Sequence, residues 1–350
     1  MKQTFEKVDM WHKPLTINEN NFVHKSLSNW SCNIAVGCEH ACRFCYVPDV
    51  STRKLGATLA KHGVTDPDAD WGNYVLLRPF QREVFERSLR AAQTKPKLQL
   101  KTDGNRAVMF CTTTDPYQML KHDDTNRRVE LNALRRCMMR DALTTIRDES
   151  SINVRILTRS PLAREDFELM RSFGPRLLFG MSLPTLNNKL AKVYEPHAPS
   201  PSKRLETLHA AKSAGLNVFV AVAPTYPECD FDDLRNTMCA IAELKPLTVF
   251  AEPINIRSEN VERIRVEGAR VGVELKLDVF KTPEAWASYA ISQLHTTELA
   301  ASCFAATSKC LHLWPDAALG SKRVVAAQDD QQSHRVWLDH YWQRVSEWAS

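Results

Sequence analysis

The run Gly37-Cys38-Glu39-His40-Ala41-Cys42-Arg43-Phe44-Cys45-Tyr46 places three cysteines in one short loop, with the spacing C-x3-C-x2-C. Thiolates this close in sequence can converge on a single metal centre. A closed zinc or iron–sulfur site needs four ligands, so three cysteines leave one coordination position open. An open position is typical of a site that acts on a bound molecule rather than of a site that only stabilises a fold.

Two other interpretations of the cysteine run require a fourth ligand. A structural zinc site usually takes it from a second cysteine or histidine pair, but Cys303 and Cys310 are remote and His40 lies inside the loop. A ferredoxin-type cluster takes it from a nearby cysteine, for which Cys32 is available, although Cys32 falls within a predicted strand. The spacing therefore favours an open iron–sulfur site.

The composition indicates an ordinary soluble globular protein, because 43% of the 350 residues are hydrophobic and 25% are charged. No apolar run reaches the length of a membrane span, and the first residues lack the apolar core of a signal peptide. Ten cysteines without the spacing of a disulfide framework fit a reducing cytoplasm. The net charge of +5 permits a nucleic-acid partner without requiring one.

Apolar strand-like runs alternate with amphipathic helical runs along most of the chain. Strands are predicted at Cys32–Val36, Ala107–Thr112, Asn153–Thr158, Leu177–Ser182, Asn217–Ala223 and Leu247–Glu252. Helices are predicted at Arg127–Arg147, Pro161–Phe173, Ser202–Ala214, Phe231–Leu244 and Glu259–Arg270. Continuously apolar strands alternating with helices indicate a parallel α/β sheet, and six such units predict a partial (β/α)6 barrel.

The regions outside the repeat predict a domain organisation. Residues 1–29 form an N-terminal extension, residues 30–270 form the core with an insertion at 49–105, and residues 271–350 form a C-terminal helical region. The insertion contains a predicted strand, Tyr74–Leu77, and a predicted helix, Gln81–Ala92. The C-terminal region contains a helix at Pro283–Leu294 and ends in a helix whose aromatic stripe is expected to pack on the core: Trp337, Tyr341, Val345 and Trp348.

Polar residues follow the predicted strands and mark the face where a ligand is expected. In a parallel βα sheet, ligands bind beyond the carboxyl ends of the strands. The cysteine loop follows the first predicted strand. The polar residues after the next five are Thr112–Asp115, Thr158–Arg159, Ser182, Pro224–Tyr226 and Glu252.

The chain resembles the radical S-adenosylmethionine (SAM) enzymes, and among them spore photoproduct lyase and its relatives. The resemblance runs from about Trp30 to Arg257. It is carried by the cysteine run and by Cys111–Gln118, Ile156–Ser160, Tyr194-Glu195-Pro196, Lys203-Arg204-Leu205, Val222–Tyr226 and Val249–Ile254. It implies that Cys38, Cys42 and Cys45 hold a [4Fe-4S] cluster whose fourth iron binds SAM.

The resemblance also implies roles for residues around the cysteines. Tyr46 matches an aromatic residue that packs near SAM, and Ser182 matches a serine that contacts it. Arg159 stands where the lyase has a lysine that neutralises the SAM carboxylate, a task that a guanidinium can perform bidentately. Thr114 and Asp115 are candidates for the SAM ammonium or ribose, the alternative being a plain Asp-Pro turn. Glu195 is a site candidate that can instead pair with Arg204.

The position of Cys111 departs from the pattern of the lyase. There, a cysteine three residues before the strand-end aspartate returns a hydrogen atom to the product radical. Here Thr112 has that spacing and Cys111 lies four residues before Asp115. Because side chains alternate along a strand, the offset favours a buried structural Cys111, while a bulge would restore it as a hydrogen donor.

The implied reaction is a one-electron cleavage of SAM to methionine and a 5′-deoxyadenosyl radical, which abstracts hydrogen from a substrate. The resemblance also implies an external reductant of the flavodoxin or ferredoxin type. Three hypotheses for the function follow. The first is a lyase-like radical enzyme acting on DNA or another nucleic acid. The second is a radical SAM enzyme acting on a small molecule or peptide. The third is a non-catalytic metal-binding protein that docks a partner.

Overall fold

The computed structural model of the protein describes residues 7–20, 28–100, 105–304 and 310–344. The strands are β1 (Lys7–Met10), β2 (Ile17–Glu19), β3 (Trp30–Cys32), β4 (Ala35–Gly37), β5 (Tyr74–Leu77), β6 (Ala107–Phe110), β7 (Asn153–Thr158), β8 (Leu177–Ser182), β9 (Asn217–Thr225), β10 (Thr248–Pro253) and β11 (Leu311–Leu313). The helices are α1 (Val47–Val50), α2 (Gly56–Leu59), α3 (Arg82–Thr94), α4 (Thr125–Glu149), α5 (Phe167–Arg171), α6 (Asn188–Tyr194), α7 (Pro201–Ser213), α8 (Phe231–Glu243), α9 (Asn260–Val271), α10 (Pro283–Ala300), α11 (Lys322–Ala326) and α12 (Gln331–Arg344).

Eight of the described strands form one sheet in the order β11-β10-β9-β8-β7-β6-β3-β2. Within it β3, β6, β7, β8, β9 and β10 are parallel neighbours in chain order. β11 continues the sheet in parallel beside β10, whereas β2 lies antiparallel beside β3. The predicted α/β architecture, a partial (β/α)6 barrel, is confirmed.

The two faces of this sheet carry different apolar clusters, because side chains alternate faces along each strand. The larger cluster packs under the helices and includes Ile156, Phe179 and Val220. The smaller cluster consists of Met109, Leu178, Phe219 and Phe250, with Leu157 beside it. A Cβ on Gly180 would lie 2.3 Å from the Phe219 ring, so glycine at this position lets Phe219 cross the strand.

The prediction of one strand at Cys32–Val36 is wrong, because this segment is divided between two sheets. β3 belongs to the large sheet, whereas β4 belongs to a three-stranded sheet in the order β1-β5-β4. The Asn33 side chain accepts hydrogen bonds from the backbone N–H groups of Thr112 and Thr113. These bonds tie the residue after β3 to the end of β6, at the point where the chain leaves the large sheet. A buried apolar run gives no sign of this break, since both halves are buried.

Other differences concern short or mixed elements. The helix predicted at Pro161–Phe173 begins as a 3-10 helix, Pro161–Asp166, and continues as α5. The three- and four-residue strands β1, β2 and β11 are too short to produce a periodic pattern, and α6 was not predicted. In α12, Tyr341 is buried and Trp337 packs against the main core, whereas the predicted stripe residues Val345 and Trp348 lie outside the described residues.

In the described part of the chain, no helix is long and apolar enough to cross a membrane.

Candidate functional site

The cysteine loop begins at the end of β4, and the three-stranded sheet fixes the position of its first residues. Gly37 has a φ of +92°, and a Cβ there would lie 2.1 Å from the Tyr74 carbonyl oxygen. Only glycine therefore allows β4 to approach β5 so closely. A Cβ on Gly72 would likewise lie 2.3 Å from the Cβ of Ala41, so the insertion packs directly on the loop. The small sheet and the insertion thus position the cysteines.

Side chains of helix α9 hold the second half of the cysteine loop by donating hydrogen bonds to the backbone carbonyls of the loop. Arg263 donates to the carbonyl oxygen of Cys45 at 2.8 Å and to that of Arg43 at 3.1 Å. The same guanidinium forms an ion pair with Asp68 of the insertion. Asn260 donates to the Phe44 carbonyl oxygen at 3.3 Å. One helix therefore fixes three consecutive carbonyls of the loop.

The segment after β6 holds the first half of the loop. Asp115, which is buried, lies 3.1 Å from His40 Nε2 and accepts hydrogen bonds from the Thr158 hydroxyl at 2.7 Å and the Arg159 N–H at 2.8 Å. Burial opposes ionisation of Asp115, but His40 and these donors outweigh it and hold the pKa of this carboxyl at about 2. Thr114 donates to the Gly37 carbonyl oxygen at 2.6 Å. Both predicted site residues thus connect the loop to the strand ends.

Glu195 lies between two arginines at the same edge of the sheet. Its carboxylate is almost fully buried and pairs with Arg159 and with Arg204 at 2.5 Å each. Burial alone would raise the pKa of Glu195, but Arg204 and Arg159 reverse the effect and lower it. Arg204 also donates to the Ser182 carbonyl oxygen at 3.2 Å. The pairing of Glu195 with Arg204 that the sequence left open is present.

The other predicted cofactor-binding residues meet around this pair. The guanidinium carbon of Arg159 lies 5.6 Å from the centroid of the Phe44 ring, inside the cysteine loop. Tyr46 donates from its hydroxyl to the Thr112 carbonyl oxygen at 2.6 Å. Ser182 is buried at the end of β8, opposite Ala221 in β9. Arg159 and Ser182 therefore lie at the ends of β7 and β8, whereas Tyr46 lies in the cysteine loop itself, next to Cys45.

The three cysteines form one group of thiols. Cys38 and Cys42 are buried and Cys45 is half-buried, and their charges interact with one another. Burial raises the pKa of all three thiols, that of Cys42 to about 12. Buried thiols of this kind lose their protons when a metal takes the proton's place. Arg159 lies close to both Cys42 and Cys45, where it can balance the negative charge of bound thiolates.

This donor set fits a polynuclear cluster. Cysteine thiolates are the ligands of a [4Fe-4S] cluster, and each of them binds a different iron atom. Within the described ranges, no three His, Cys, Asp or Glu side chains are arranged to hold a single metal ion. Cys32, the alternative fourth ligand, is buried in β3 in the main core.

Cys111 lies directly beyond the end of β6. Its thiol is buried and donates to the Cys32 carbonyl oxygen at 3.1 Å. Burial raises the pKa of Cys111 well above that of a free thiol. The hydrogen-donor role of Cys111 stays a prediction, and the geometry gives the thiol a partner within the apolar core.

Sequence reasoning missed two of the residues that hold the loop, His40 and Asn260. The partner of His40, Asp115, is 75 positions away in the chain, and the partner of Asn260, Phe44, is 216 positions away. The sequence likewise indicated no role for Gln118, which accepts a hydrogen bond from the Glu39 N–H. No local pattern predicts such contacts, because each depends on which strand ends become neighbours.

Comparisons with known proteins agree with this geometry. The family model described as the Radical SAM superfamily matches residues 32–238. An uncharacterized protein of Acidianus two-tailed virus is 34% identical over 273 residues, covering 75% of this chain and 80% of its own. An uncharacterized protein of Methanocaldococcus jannaschii is 22% identical over 218 residues, covering 62% and 66%.

Among solved structures, spore photoproduct lyase complexed with dinucleoside spore photoproduct has a similar fold. The TM-score is 0.60 at 13% identity, and the match covers 87% of this chain and 80% of that one. At this identity the likeness concerns the fold alone. The match of the family model includes all three cysteines, and it supports an enzyme over the hypothesis of a non-catalytic metal-binding protein. The chain belongs to the radical SAM superfamily and is an enzyme.

Proposed function

We propose that Cys38, Cys42 and Cys45 hold a [4Fe-4S] cluster and that the enzyme uses it to cleave SAM. The observation that carries the proposal is the group of three interacting thiols at the carboxyl edge of the parallel strands, beside Arg159. When bound, the cluster supplies the electron that converts SAM to methionine and a 5′-deoxyadenosyl radical. A flavodoxin- or ferredoxin-type protein is the proposed source of that electron.

The residues at this edge divide into two proposed groups. Arg159, Tyr46 and Ser182 are proposed to contact SAM, with the Arg159 guanidinium on its carboxylate. Thr114, Asp115 and Glu195 are proposed to act mainly by positioning, since Asp115 orients the His40 side of the loop and Glu195 orients Arg159. A carboxylate that already accepts several internal hydrogen bonds has little capacity left for a ligand.

For the substrate we propose a nucleic acid. The similar fold of spore photoproduct lyase, whose structure holds a dinucleoside, supports this class, as does the positive net charge of the chain. A small molecule or a peptide is the alternative. Deuterium transfer from labelled candidates into 5′-deoxyadenosine separates these classes, because only a true substrate passes its deuterium to the radical.

The decisive experiment for SAM cleavage compares two cysteine variants. After anaerobic reconstitution with iron and sulfide and reduction with dithionite, the wild-type protein should release 5′-deoxyadenosine, and Cys42→Ala should release none. Cys137→Ala is the matched control, because Cys137 is an exposed cysteine in α4. Chromatography of the nucleoside and the visible absorbance of the cluster are the readouts. Absence of 5′-deoxyadenosine from reconstituted wild-type protein would overturn the proposal.

A further inference from the structure

A pocket lies beside the cysteine loop, and its charge pattern differs from that of the loop. Its volume is about 420 Å³, and its lining includes Lys13, Thr16, Asn33, Ser51, Arg78 and Thr113. Two cations, three hydroxyls and an amide line it together with a proline and a second asparagine, and none of the described lining residues is a carboxylate. This volume is within the range of small-molecule sites.

The pocket is built from the segments that shape the cysteine site. Arg78 directly follows β5 and donates its N–H to the Ile34 carbonyl oxygen at 2.8 Å. Asn33 binds the N–H groups of Thr112 and Thr113, while the Thr112 carbonyl oxygen accepts from Tyr46. Thr112 thus separates the pocket from the cysteine loop by a single residue. The pocket and the proposed SAM site therefore share the segment that follows β6.

The two cations at this pocket differ in exposure, since Lys13 is exposed and Arg78 is half-buried. Among the residues that the structure describes, neither Lys13 nor Arg78 forms an ion pair, whereas most arginines around the cysteine loop do. The half-buried Arg78 guanidinium lies 6.0 Å from the centroid of the Trp11 ring, which orders it. Lys13, Lys61, His62 and Arg78 all act electrostatically on His12, so the cluster extends past the rim.

The charge of the pocket favours an anion. Two cations that have no acidic partner among the described residues attract an anionic group, most strongly at the half-buried Arg78. Lysine and arginine combined with hydroxyl and amide donors is the donor set that proteins use for phosphate oxygens. We propose that this pocket binds a phosphate group of the substrate, an inference that rests on the proposed radical function of the neighbouring cysteine site.

The test is binding of a fluorescently labelled, short single-stranded oligonucleotide to the reconstituted enzyme, measured by anisotropy over a range of salt concentrations. Lys13→Gln and Arg78→Gln should each weaken binding by roughly fivefold and lower the salt slope by about 0.7. Arg78→Lys, which keeps the charge, should retain more affinity than Arg78→Gln. Lys322→Gln is the control, because it removes the same charge from an exposed lysine of α11.

Competition identifies the source of the phosphate. Displacement of the probe by unlabelled single strand, but not by adenosine monophosphate at equal phosphate concentration, indicates a phosphodiester chain. Equal displacement by both indicates a free nucleotide. Unchanged affinity and salt slope in both Lys13→Gln and Arg78→Gln would overturn the proposal. Formation of 5′-deoxyadenosine is measured on the same preparations, so that failure of radical chemistry is seen separately from failure of phosphate binding.

Discussion

The cysteine site and the Lys13–Arg78 pocket are neighbours that differ in whether their charged side chains form ion pairs. Around the cysteines, Arg159 and Arg204 share Glu195, and Arg263 pairs with Asp68. In the pocket, Lys13 and Arg78 have no such partner among the described residues. Paired buried charges fix side chains in one geometry, as a reactive site requires. Unpaired cations keep their attraction for a ligand. The ion pairs therefore fix the side chains of the cysteine site, whereas the pocket has cations available for the proposed anion.

The largest expected effect comes from breaking a pair at the cysteine site. Glu195→Gln leaves Arg159 and Arg204 as buried cations without their counter-charge, so the free energy of unfolding should fall by about 3–5 kcal/mol. Urea denaturation is the measurement. Glu165→Gln is the control, because it breaks an exposed pair with Arg136 and should cost at most about 1 kcal/mol. Similar losses in both variants would contradict the view that the buried pairs prearrange the site.

A smaller effect is expected at Cys111, which lies where the two regions meet. Cys111→Ala removes a buried thiol and its hydrogen bond to Cys32, and should lower the free energy of unfolding by about 1–2 kcal/mol. Cys137→Ala, at an exposed position, should change it little. Unfolding and product formation are measured together. Wild-type stability combined with loss of substrate turnover alone would favour the hydrogen-donor hypothesis over a packing role.

The smallest effect is expected in the pocket. Lys13→Gln removes one of several like charges and no ion pair, so stability should rise slightly at low salt, by no more than about 0.5 kcal/mol. The gain should vanish near 1 M salt, where the screening length is about 3 Å. Urea denaturation at both salt concentrations checks this, with Lys322→Gln as the reference. A clear loss of stability at low salt would mean that Lys13 has a stabilising partner and that the two regions do not differ.

Much of the barrel could be predicted from the sequence because its elements have local signals. Asn153–Thr158 and Leu177–Ser182 were predicted with the bounds that the structure has, since each is a short segment rich in aliphatic residues between helices. The division of β3 from β4 could not be predicted, because Asn33 turns the chain through contacts with a segment almost eighty residues away. The insertion strand β5 was predicted, but its pairing with β1 and β4 was not.

The sequence by itself determined the class of enzyme and supplied the proposed cluster ligands. Three cysteines at this spacing can be identified as candidate metal ligands without a structure, because thiolate coordination depends on residue type and short-range spacing. Only the tertiary structure decided which carboxylates were already satisfied. Asp115 and Glu195 were candidate SAM ligands in the sequence, but in the fold they meet His40, Arg159 and Arg204. Whether a charge is paired depends on residues that are distant in the chain. For this reason the structure, and not the sequence, shows that Lys13 and Arg78 have no acidic partner among the described residues.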